Sequence, residues 1–415
     1  MLLSPVPLLD LRLSPEQVAR ALHDLEGFVF LDSADADQSG SSNRISIIGA
    51  QPRQVHRGSL HDPQACEVLR KSLRAHANAV FDWGFPVGGL IGQVDYDGHF
   101  VFGEYEDLLV YHHDRGKWFT IGNPDRLLDL TREIVEQRPA PPVAFTSSMN
   151  ESEFVRRVGQ AHEWITAGDI YQVNLARQFR ASAQDTDNPY ATFERLRAVS
   201  PAPYAAYLNL DNRTVLSSSP ECFLRMSGRG INTRPIKGTR PRCKDPQADE
   251  CSAYDLLTSQ KEIAELVMIT DLERNGIGRI CEYGSVHVSE LLKLERYAQV
   301  FHLVSTVEGR LCDEVDHVDA LRVCSPGGSI TGAPKKRAME IIADLETTPR
   351  GLYTGAIGYL GWNGESQFSI AIRTLIREHD HWHFHVGSGI VADSDPVAEY
   401  QETLHKAEGI LQATR

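Results

Sequence analysis

Segments typical of β-strands alternate along this chain with long amphipathic helices, and this arrangement limits the fold more than any other feature. In the first third, apolar and β-branched residues predict strands at residues 28–31, 45–48, 87–94, 108–111 and 118–121. Later strands are predicted at residues 355–360 and 381–386, and helices at 125–137, 151–167, 252–272, 336–345 and 396–411. Strands interleaved with long helices predict a layered α+β fold, in which helices cover large sheets.

A proline-rich segment at residues 138–143 separates two parts of the chain. Proline fixes φ and removes a backbone donor, so this segment is expected to be extended and to act as a linker. We therefore predict an N-terminal region of residues 1–143 that ends in this linker. A second, larger domain is predicted to cover residues 144–415.

The charge balance and the cysteine pattern exclude several classes of protein. The chain has 42 Lys and Arg against 56 Asp and Glu, a net charge of −14, which disfavours a nucleic-acid partner. No segment approaches the ~18 uninterrupted apolar residues of a membrane span. Seven scattered cysteines without a Cys-x-x-Cys pair are typical of reduced thiols. We expect a cytoplasmic protein without a membrane or nucleic-acid partner.

Two predicted helices carry acidic side chains at spacings that place them on one face. In the last helix Glu399, Glu402 and Lys406 follow one another at intervals of three and four residues. Glu262 and Glu265 share the same spacing in the earlier long helix. Such pairs are usually solvated helix faces, but carboxylates from two helices can also converge on a hard cation such as Mg²⁺.

Three further residues stand out because each carries a charged side chain within an apolar or turn-forming segment. Arg373 lies in an apolar strand pattern, where a guanidinium pairs with an acid of the protein or with a carboxylate ligand. Glu221 follows a proline at a predicted strand end, and Lys237 lies sixteen residues later in a turn bounded by proline and glycine. They can serve as general acid and nucleophile, although ordinary surface positions are the simpler account.

Glycine-rich segments at residues 325–335 and 387–389 are the next feature. The first precedes a predicted helix and offers backbone N–H groups that suit an anion such as a carboxylate. In the second, Gly387 and Gly389 lack side chains, so a ligand can contact the backbone directly. Tight turns explain both segments equally well.

Histidines alternate at the start of the last predicted strand, at positions 379, 381, 383 and 385. The spacing permits metal binding, because alternate residues of a strand share one face. The simpler interpretation is a polar outer face of the sheet, with Trp382 and Phe384 on the inner side.

Taken together, these segments resemble the chorismate-utilising family that includes anthranilate synthase component I, aminodeoxychorismate synthase component I, and the isochorismate and salicylate synthases. The resemblance is carried by Pro235-Ile-Lys-Gly-Thr239, by Pro326-Gly-Gly-Ser-Ile-Thr-Gly-Ala-Pro-Lys335 and by residues 168–175, 219–221, 268–275, 302–305, 353–359, 372–374, 387–394 and 399–403. It implies an anthranilate synthase component I-like sandwich of two large antiparallel sheets flanked by helices. The domain at 144–415 would bind chorismate and Mg²⁺ in a central cleft.

The resemblance also implies roles for individual residues. Glu265 and Glu399 match the Mg²⁺ ligands, with Glu262 and Glu402 supporting the ion through water. The positions that match groups around the substrate are Thr239, His302, Ser329, Tyr353, Arg373, Gly387, Gly389 and Lys406. Glu221 matches the general acid that helps the C4 hydroxyl leave.

Two positions indicate a branch of the family. Gln172 stands where the isochorismate and salicylate synthases carry a lysine base. Lys237 stands where anthranilate synthases carry alanine, and the Pro-Ile-Lys-Gly-Thr form resembles aminodeoxychorismate synthase component I. That branch aminates chorismate at C4 through a covalent lysine intermediate. Its ammonia comes from a separate glutaminase subunit. The alternatives are an anthranilate synthase component I and a non-catalytic binding or regulatory subunit on the same fold.

Overall fold

The protein is represented by a computed structural model, and the structure describes residues 4–8, 11–33, 44–77, 83–131 and 138–415. The strands of these residues, in chain order, are β1 Val6–Leu8, β2 Val29–Asp32, β3 Ile45–Gly49, β4 Gln54–Ser59, β5 Gly89–Val94, β6 His99–Tyr105, β7 Leu108–His112, β8 Lys117–Ile121, β9 Thr146–Ser147, β10 Gln172–Ser182, β11 Tyr204–Leu210, β12 Arg213–Ser219, β13 Cys222–Ser227, β14 Gly230–Arg234, β15 Ile236–Pro241, β16 His287–Arg296, β17 Val300–Arg310, β18 Gly332–Ala333, β19 Ala356–Gly361, β20 Glu365–Ile370, β21 Thr374–Glu378 and β22 His381–Ile390. The α-helices are α1 Pro15–Leu22, α2 Pro63–Ala75, α3 Asp125–Leu130, α4 Glu151–Ala167, α5 Pro189–Val199, α6 Pro246–Thr258, α7 Gln260–Gly278, α8 His317–Cys324, α9 Lys335–Leu345 and α10 Pro396–Ala413.

The strands form two large sheets whose pairings in the described residues are all antiparallel. The first sheet has twelve strands in the order β1-β8-β7-β3-β2-β11-β12-β21-β22-β10-β18, with β9 paired to β10. The second has ten strands in the order β15-β17-β14-β13-β20-β19-β5-β6-β4, with β16 paired to β17. This architecture confirms the predicted α+β sandwich.

Alternation along the strands builds the layers. Val215 and Ile376 point from the first sheet toward the second, whereas their neighbours Leu216 and Leu375 pack against the helices outside. This outer layer includes α1, α3, α5 and α10. On the far side of the second sheet, α2 and α8 cover the apolar residues of β13 and β20. Because side chains of a strand alternate between faces, each sheet is buried on both sides in its central strands.

Both sheets draw strands from both sides of the proline-rich segment. Strands β1–β8 come from residues before 138 and pair with strands from the rest of the chain, as β2 does with β11 and β5 with β19. Two hydrogen bonds tie the segment to the rest of the chain: the backbone N–H of Val143 donates to the carbonyl oxygen of Thr414, and the side chain of Asn188 donates to the carbonyl oxygen of Arg138. The N-terminal region is therefore part of the sandwich.

The helix boundaries follow local capping signals in most places. Helix α4 coincides with the predicted residues 151–167, and Asp395 caps α10 by accepting from the N–H of Ala398 at 2.7 Å. The single helix predicted over residues 252–272 is wrong. Ser259 adopts an extended conformation, ends α6 and caps α7 by accepting from Glu262. Of the helix predicted at 125–137, residues 132–137 lie outside the described residues.

None of the described helices combines the length and the apolar composition that a membrane-spanning helix requires.

Candidate active site

The predicted site residues gather where edge strands of the two sheets meet two helices. Strands β10 and β22 supply one wall, and strands β15 and β17 of the second sheet supply the opposite one. Helix α10 packs against β22, and α7 packs against β15 and β17. The loop between α8 and β18 closes the space between them. Residues far apart in the sequence therefore share one region.

Lys237 lies on β15 rather than in the predicted turn. A register irregularity falls between Lys237 and Thr239, where Gly238 has φ of +70°. This bulge redirects the strand locally, which is a common way to aim a side chain at a site. The ammonium Nζ lies 3.5 Å from the carbonyl oxygen of Ser329. The prediction of a turn is wrong, but the lysine does face the glycine-rich loop.

Glu221 lies between β12 and β13 and is 5% exposed. Its carboxyl group is hydrogen-bonded to the side chain of Ser329 and lies near the charges of Lys237 and Glu273. Burial raises the pKa of Glu221 to about 7, although Ser329 and Lys237 oppose the rise. A carboxyl group with this pKa can hold a proton near neutral pH and donate it.

The glycine-rich loop is organised by an acid that the sequence analysis did not single out. Glu273 of α7 is buried, and its Oε1 accepts from the backbone N–H groups of Gly328 at 2.7 Å and Ser329 at 3.3 Å. These two N–H groups do bind a carboxylate, as predicted, but the carboxylate belongs to Glu273 and not to a ligand. Glu273 fixes the loop instead, and thereby places the Ser329 carbonyl beside Lys237. The sequence offered one signal for Glu273, because this residue lies in the segment 268–275 that resembles the family.

Thr239 and His302 form a polar pair on neighbouring strands of the second sheet. The Thr239 hydroxyl lies 3.0 Å from Nδ1 of His302, which is also 3.3 Å from the carbonyl oxygen of Gly238. His302 is 2% exposed, and burial lowers its pKa to about 4, helped by the nearby charge of Arg373. The imidazole is therefore neutral at physiological pH and can act as a hydrogen-bonding group.

Arg373 lies in the break between β20 and β21, not within a strand as predicted. Its backbone has φ of +50°, a left-handed conformation that costs a residue with a side chain about 1–3 kcal/mol. Burial lowers the pKa of the guanidinium, and no ion pair with a described carboxylate offsets this burial. A buried cation without an acidic partner is typical of a site for an anionic ligand.

Gln172 and the two glycines of β22 form the wall of the first sheet. Gln172 is fully buried, and neither of its amide atoms has a hydrogen-bond partner among the described residues. A Cβ added at Gly389 would lie 3.0 Å from Nε2 of Gln172 and 3.8 Å from Nζ of Lys237. Gly387 and Gly389 lie within β22 rather than beyond it, and their missing side chains leave room beside Lys237.

Tyr353 and Lys406 also contact β22, both at Gly387. A Cβ added at Gly387 would lie 2.8 Å from the hydroxyl of Tyr353, and Nζ of Lys406 donates to the carbonyl oxygen of Gly387 at 3.0 Å. The guanidinium of Arg350 lies over the Tyr353 ring, 5.6 Å from its centroid, and helps to position that ring. Arg350 also forms an ion pair with Glu346 at 2.6 Å. Arg350 and Glu346 are buttressing residues that the sequence analysis missed.

The four predicted metal-binding glutamates lie on α7 and α10. Glu399 is 2% exposed; its Oε1 accepts from Ser394 at 2.7 Å and lies 3.3 Å from Nζ of Lys261, and its Oε2 accepts from Ser388. Three polar neighbours therefore fix the orientation of this carboxylate. The spacing along α10 did not reveal these three, because Ser388 and Ser394 precede the helix and Lys261 lies on α7.

The other three acids, Glu262, Glu265 and Glu402, influence one another through their charges. Burial raises the pKa of Glu265, and the charges of Glu262 and Glu402 raise it further against Lys237 and Lys261. Burial alone would raise the pKa of Glu402, but Lys406, 2.7 Å away, outweighs it and lowers the value. Within the described part of the chain, no three of the four glutamates bring ligand oxygens within 4.8 Å of one another.

All donor atoms in this set are carboxylate oxygens, which Mg²⁺ prefers over softer ligands. Mg²⁺ also needs few protein ligands, because it keeps several waters. The donor chemistry and the raised pKa of Glu265, which a cation would relieve, fit the predicted Mg²⁺ with Glu265 and Glu399 as its direct ligands.

The prediction for the alternating histidines is wrong. His383 is 8% exposed and His385 is 2% exposed, and His385 stacks on Tyr353 with ring centroids 5.3 Å apart. Trp382 and Phe384 pack instead against the helical layer. The histidine face therefore points into the sandwich, on the same face of β22 as Gly387, because alternate residues of a strand share a face.

The fold and the site together define the class of protein. The pattern of the chorismate binding enzymes matches residues 91–412, and the chain belongs to that family. Within it, the chain is 46% identical to anthranilate synthase component 1 of Streptomyces coelicolor, over 91% of this chain and 82% of that one. It is 47% identical to aminodeoxychorismate synthase component 1 of Salmonella typhimurium, over 65% of this chain and 59% of that one.

The chain spans about 60% of the length of several curated relatives that it matches. Among solved structures it resembles anthranilate synthase component I from Streptococcus pneumoniae, with 29% identity and a TM-score of 0.79. That match covers 95% of this chain and 96% of the other. The relatives include both an anthranilate synthase component 1 and an aminodeoxychorismate synthase component 1, so sequence identity does not assign the chain to one of the two.

Proposed function

We propose that this chain is the component I of an aminodeoxychorismate synthase. It converts chorismate and ammonia to 4-amino-4-deoxychorismate, a precursor of p-aminobenzoate and folate, in the cytoplasm. The observation that carries the proposal is the position of Lys237. Its Nζ faces the Ser329 carbonyl at 3.5 Å, while the Ser329 side chain bonds the buried acid Glu221. A nucleophile and a proton donor are thus held on the two sides of one residue.

The reaction proceeds in two substitutions. The amine of Lys237 forms a bond to ring C2, the two ring double bonds shift by one position, and the C4–O bond breaks. The hydroxyl takes a proton from Glu221 and leaves as water, and the proton that the lysine nitrogen loses passes to the carboxylate of Glu221. Ammonia then adds at C4, the double bonds shift back, and the C2–N bond breaks. The proton that ammonia loses returns to the lysine nitrogen.

Chorismate carries two carboxylates, and the site offers groups for both. Arg373, which has no ion pair with a described acid, and Tyr353 would hold the enolpyruvyl carboxylate. The ring carboxylate would approach Glu265 and Glu399, where bound Mg²⁺ would neutralise it. Glu262 and Glu402 would hold water around the ion. Thr239 and His302 would orient the ring, while Gln172 would face it from β10.

The ammonia is proposed to come from a separate glutaminase subunit. The sequence shows no cysteine and histidine arrangement typical of a glutaminase. We expect the purified chain to form product with ammonium salts and to form none with glutamine alone. Glutamine-dependent product from this chain by itself, measured by chromatography, would contradict the partner assignment.

Anthranilate synthase component I is the second candidate, because the relative with 46% identity over 91% of this chain bears that name. The two reactions differ in the carbon that ammonia attacks. A lysine bound at C2 blocks that carbon and directs ammonia to C4, whereas direct attack at C2 leads to anthranilate. The presence of Lys237 therefore favours the first candidate.

Product analysis distinguishes the candidates. The chain is incubated with chorismate, Mg²⁺ and ammonium, and the products are separated by reversed-phase chromatography. Proton NMR then assigns the amino group to C4 or C2. We expect 4-amino-4-deoxychorismate. Anthranilate as the main product would establish the second candidate, and the absence of turnover would point to a non-catalytic subunit.

Lys237→Arg separates covalent catalysis from simple charge. Arginine keeps the positive charge but is too weak a nucleophile to attack C2, so turnover should fall by orders of magnitude. Wild type incubated with chorismate without ammonia should show an intact-mass adduct equal to chorismate less water, mapped to Lys237. Lys237→Ala should open C2 to ammonia and shift the slow residual product toward anthranilate. Near wild-type formation of the 4-amino product by Lys237→Arg would exclude the covalent step.

A further inference from the structure

The hairpin of β21 and β22 carries a second group of potential metal ligands, remote from Lys237. Glu378 ends β21, His381 begins β22, and the two are paired across the hairpin. His383 lies two residues further along β22, so all three side chains share one face. One ligand atom of each lies within 4.8 Å of the other two.

We propose that Glu378, His381 and His383 form a binding site for a transition-metal ion of the Zn²⁺ class. Two imidazoles and one carboxylate are a common ligand set for Zn²⁺, and they suit Mg²⁺ poorly. Three protein ligands leave at least one coordination position for water. The proposal does not depend on the reaction proposed above.

The buried histidine supplies the strongest support. His383 is more than nine-tenths buried, and its Nδ1 has no hydrogen-bond partner among the described residues. A buried polar nitrogen without a partner is costly, and a bound cation would satisfy it.

The two other ligands are held in place by neighbouring charges. Arg213 donates to Oε1 of Glu378 at 3.0 and 3.1 Å and pairs with Asp95 at 2.9 Å. The other carboxylate oxygen of Glu378 is left for a metal. Nδ1 of His381 lies 3.1 Å from Oδ1 of Asp380, an arrangement that fixes the ring and leaves Nε2 for coordination. Such outer partners are typical of metal-binding histidines.

The site has access to solvent on one side. The side chains of Glu378 and His381 are 27% and 22% exposed, whereas His383 lies deeper. Ligand atoms around tetrahedral Zn²⁺ are about 3.3 Å apart, since each bond is about 2.0–2.1 Å long. Small rotations of the two exposed side chains toward His383 would close the set around an ion.

The test measures Zn²⁺ bound to the full chain in excess Mg²⁺, which saturates the carboxylates of α7 and α10. Wild type should retain one equivalent by native mass spectrometry, and its thermal midpoint should rise with Zn²⁺. His381→Ala and His383→Gln should lower the affinity at least about tenfold. The matched control is His379→Asn, which removes the adjacent exposed histidine at φ of +51° and should bind as wild type does.

Visible absorption of the Co²⁺-substituted chain provides a second readout, because nitrogen ligands give it a characteristic spectrum. If His383→Gln fails to fold, His381→Ala carries the test alone, since that side chain is partly exposed. Equal Zn²⁺ affinity in wild type, His381→Ala and His379→Asn would overturn the proposal. The absence of stoichiometric Zn²⁺ in wild type would overturn it as well.

Discussion

Strand β22 connects two groups of potential metal ligands that differ in their chemistry. Near its C-terminal end, Glu399 and Glu265 offer carboxylate oxygens from two helices, and Lys261 lies among them. At its N-terminal end, His381, His383 and Glu378 offer two nitrogens and an oxygen from a single hairpin. The first set suits a hard cation that keeps its waters, and the second suits a borderline cation that binds imidazole.

Burial acts at both ends of this strand with opposite results. It raises the pKa of Glu221 to about 7 and lowers that of His383 to about 4, because a low-dielectric environment disfavours the charged form of either group. The carboxyl group thereby becomes an acid that can donate a proton. The imidazole becomes a neutral donor of an electron pair. The same physical effect thus prepares one end for proton transfer and the other for metal binding.

The substitution Glu399→Gln should have the largest effect and should affect the carboxylate set without affecting the histidine set of the hairpin. The substitution removes one negative charge from the hard-cation set while it keeps the shape of the side chain. We expect turnover at limiting Mg²⁺ to fall by about 10²- to 10⁴-fold, since the metal supplies several kcal/mol of charge stabilisation. The thermal midpoint should move little, and Zn²⁺ binding at the hairpin should not change. Unchanged turnover at limiting Mg²⁺ would remove Glu399 from the metal site.

The two buried groups should give the protein opposite pH dependences of stability. The pKa of Glu221 is raised from 4.5, so its contribution to stability is present at low pH and is lost as pH rises through about 7. The pKa of His383 is lowered from 6.5, so its contribution is present at high pH and is lost as pH falls through about 4. Each contribution amounts to about 3 kcal/mol at most.

Thermal midpoints of Glu221→Gln and His383→Gln, measured against wild type from about pH 4.5 to pH 8, test this contrast. The thermal midpoint of Glu221→Gln should rise relative to that of wild type as pH rises. The thermal midpoint of His383→Gln should rise relative to that of wild type as pH falls. Parallel pH profiles for wild type and both variants would show that neither group has the shifted pKa. The activity of wild type should also decline above about pH 7, where Glu221 loses its proton.

Capping signals and helical spacing in the sequence predicted part of the helical structure around these two groups of ligands. The helix predicted at 396–411 is confirmed as α10, whose start is marked locally by the N-cap Asp395 and by Pro396. The positions of the four glutamates on two helix faces followed from helical spacing. The break at Ser259 was missed because a serine between two helical patterns is also compatible with one continuous helix.

What could not be predicted depends on contacts between distant segments. The orientation of the histidines was wrong, because alternation along β22 shows which residues share a face but not which face meets the second sheet. The bond from Glu273 to the loop at Gly328 joins residues 55 positions apart, and no local spacing reveals it. Arg373 was expected in a strand because its neighbours are apolar, yet the left-handed backbone there depends on how β20 and β21 join.

The smallest expected effect concerns the room that glycine leaves at the C-terminal end of β22. Gly389→Ala places a methyl group about 3.0 Å from Nε2 of Gln172 and 3.8 Å from Nζ of Lys237, both the mobile ends of side chains. The fold should tolerate this change, so the thermal midpoint should stay near that of wild type. The methyl group would, however, occupy space beside the attacking amine, and we expect KM for chorismate to rise up to about tenfold, which corresponds to about 1.4 kcal/mol. Gly159→Ala in α4, where no atom lies within 4 Å of the new Cβ, is the matched control and should leave KM unchanged. Equal KM values for the two variants would mean that chorismate does not lie against this end of β22.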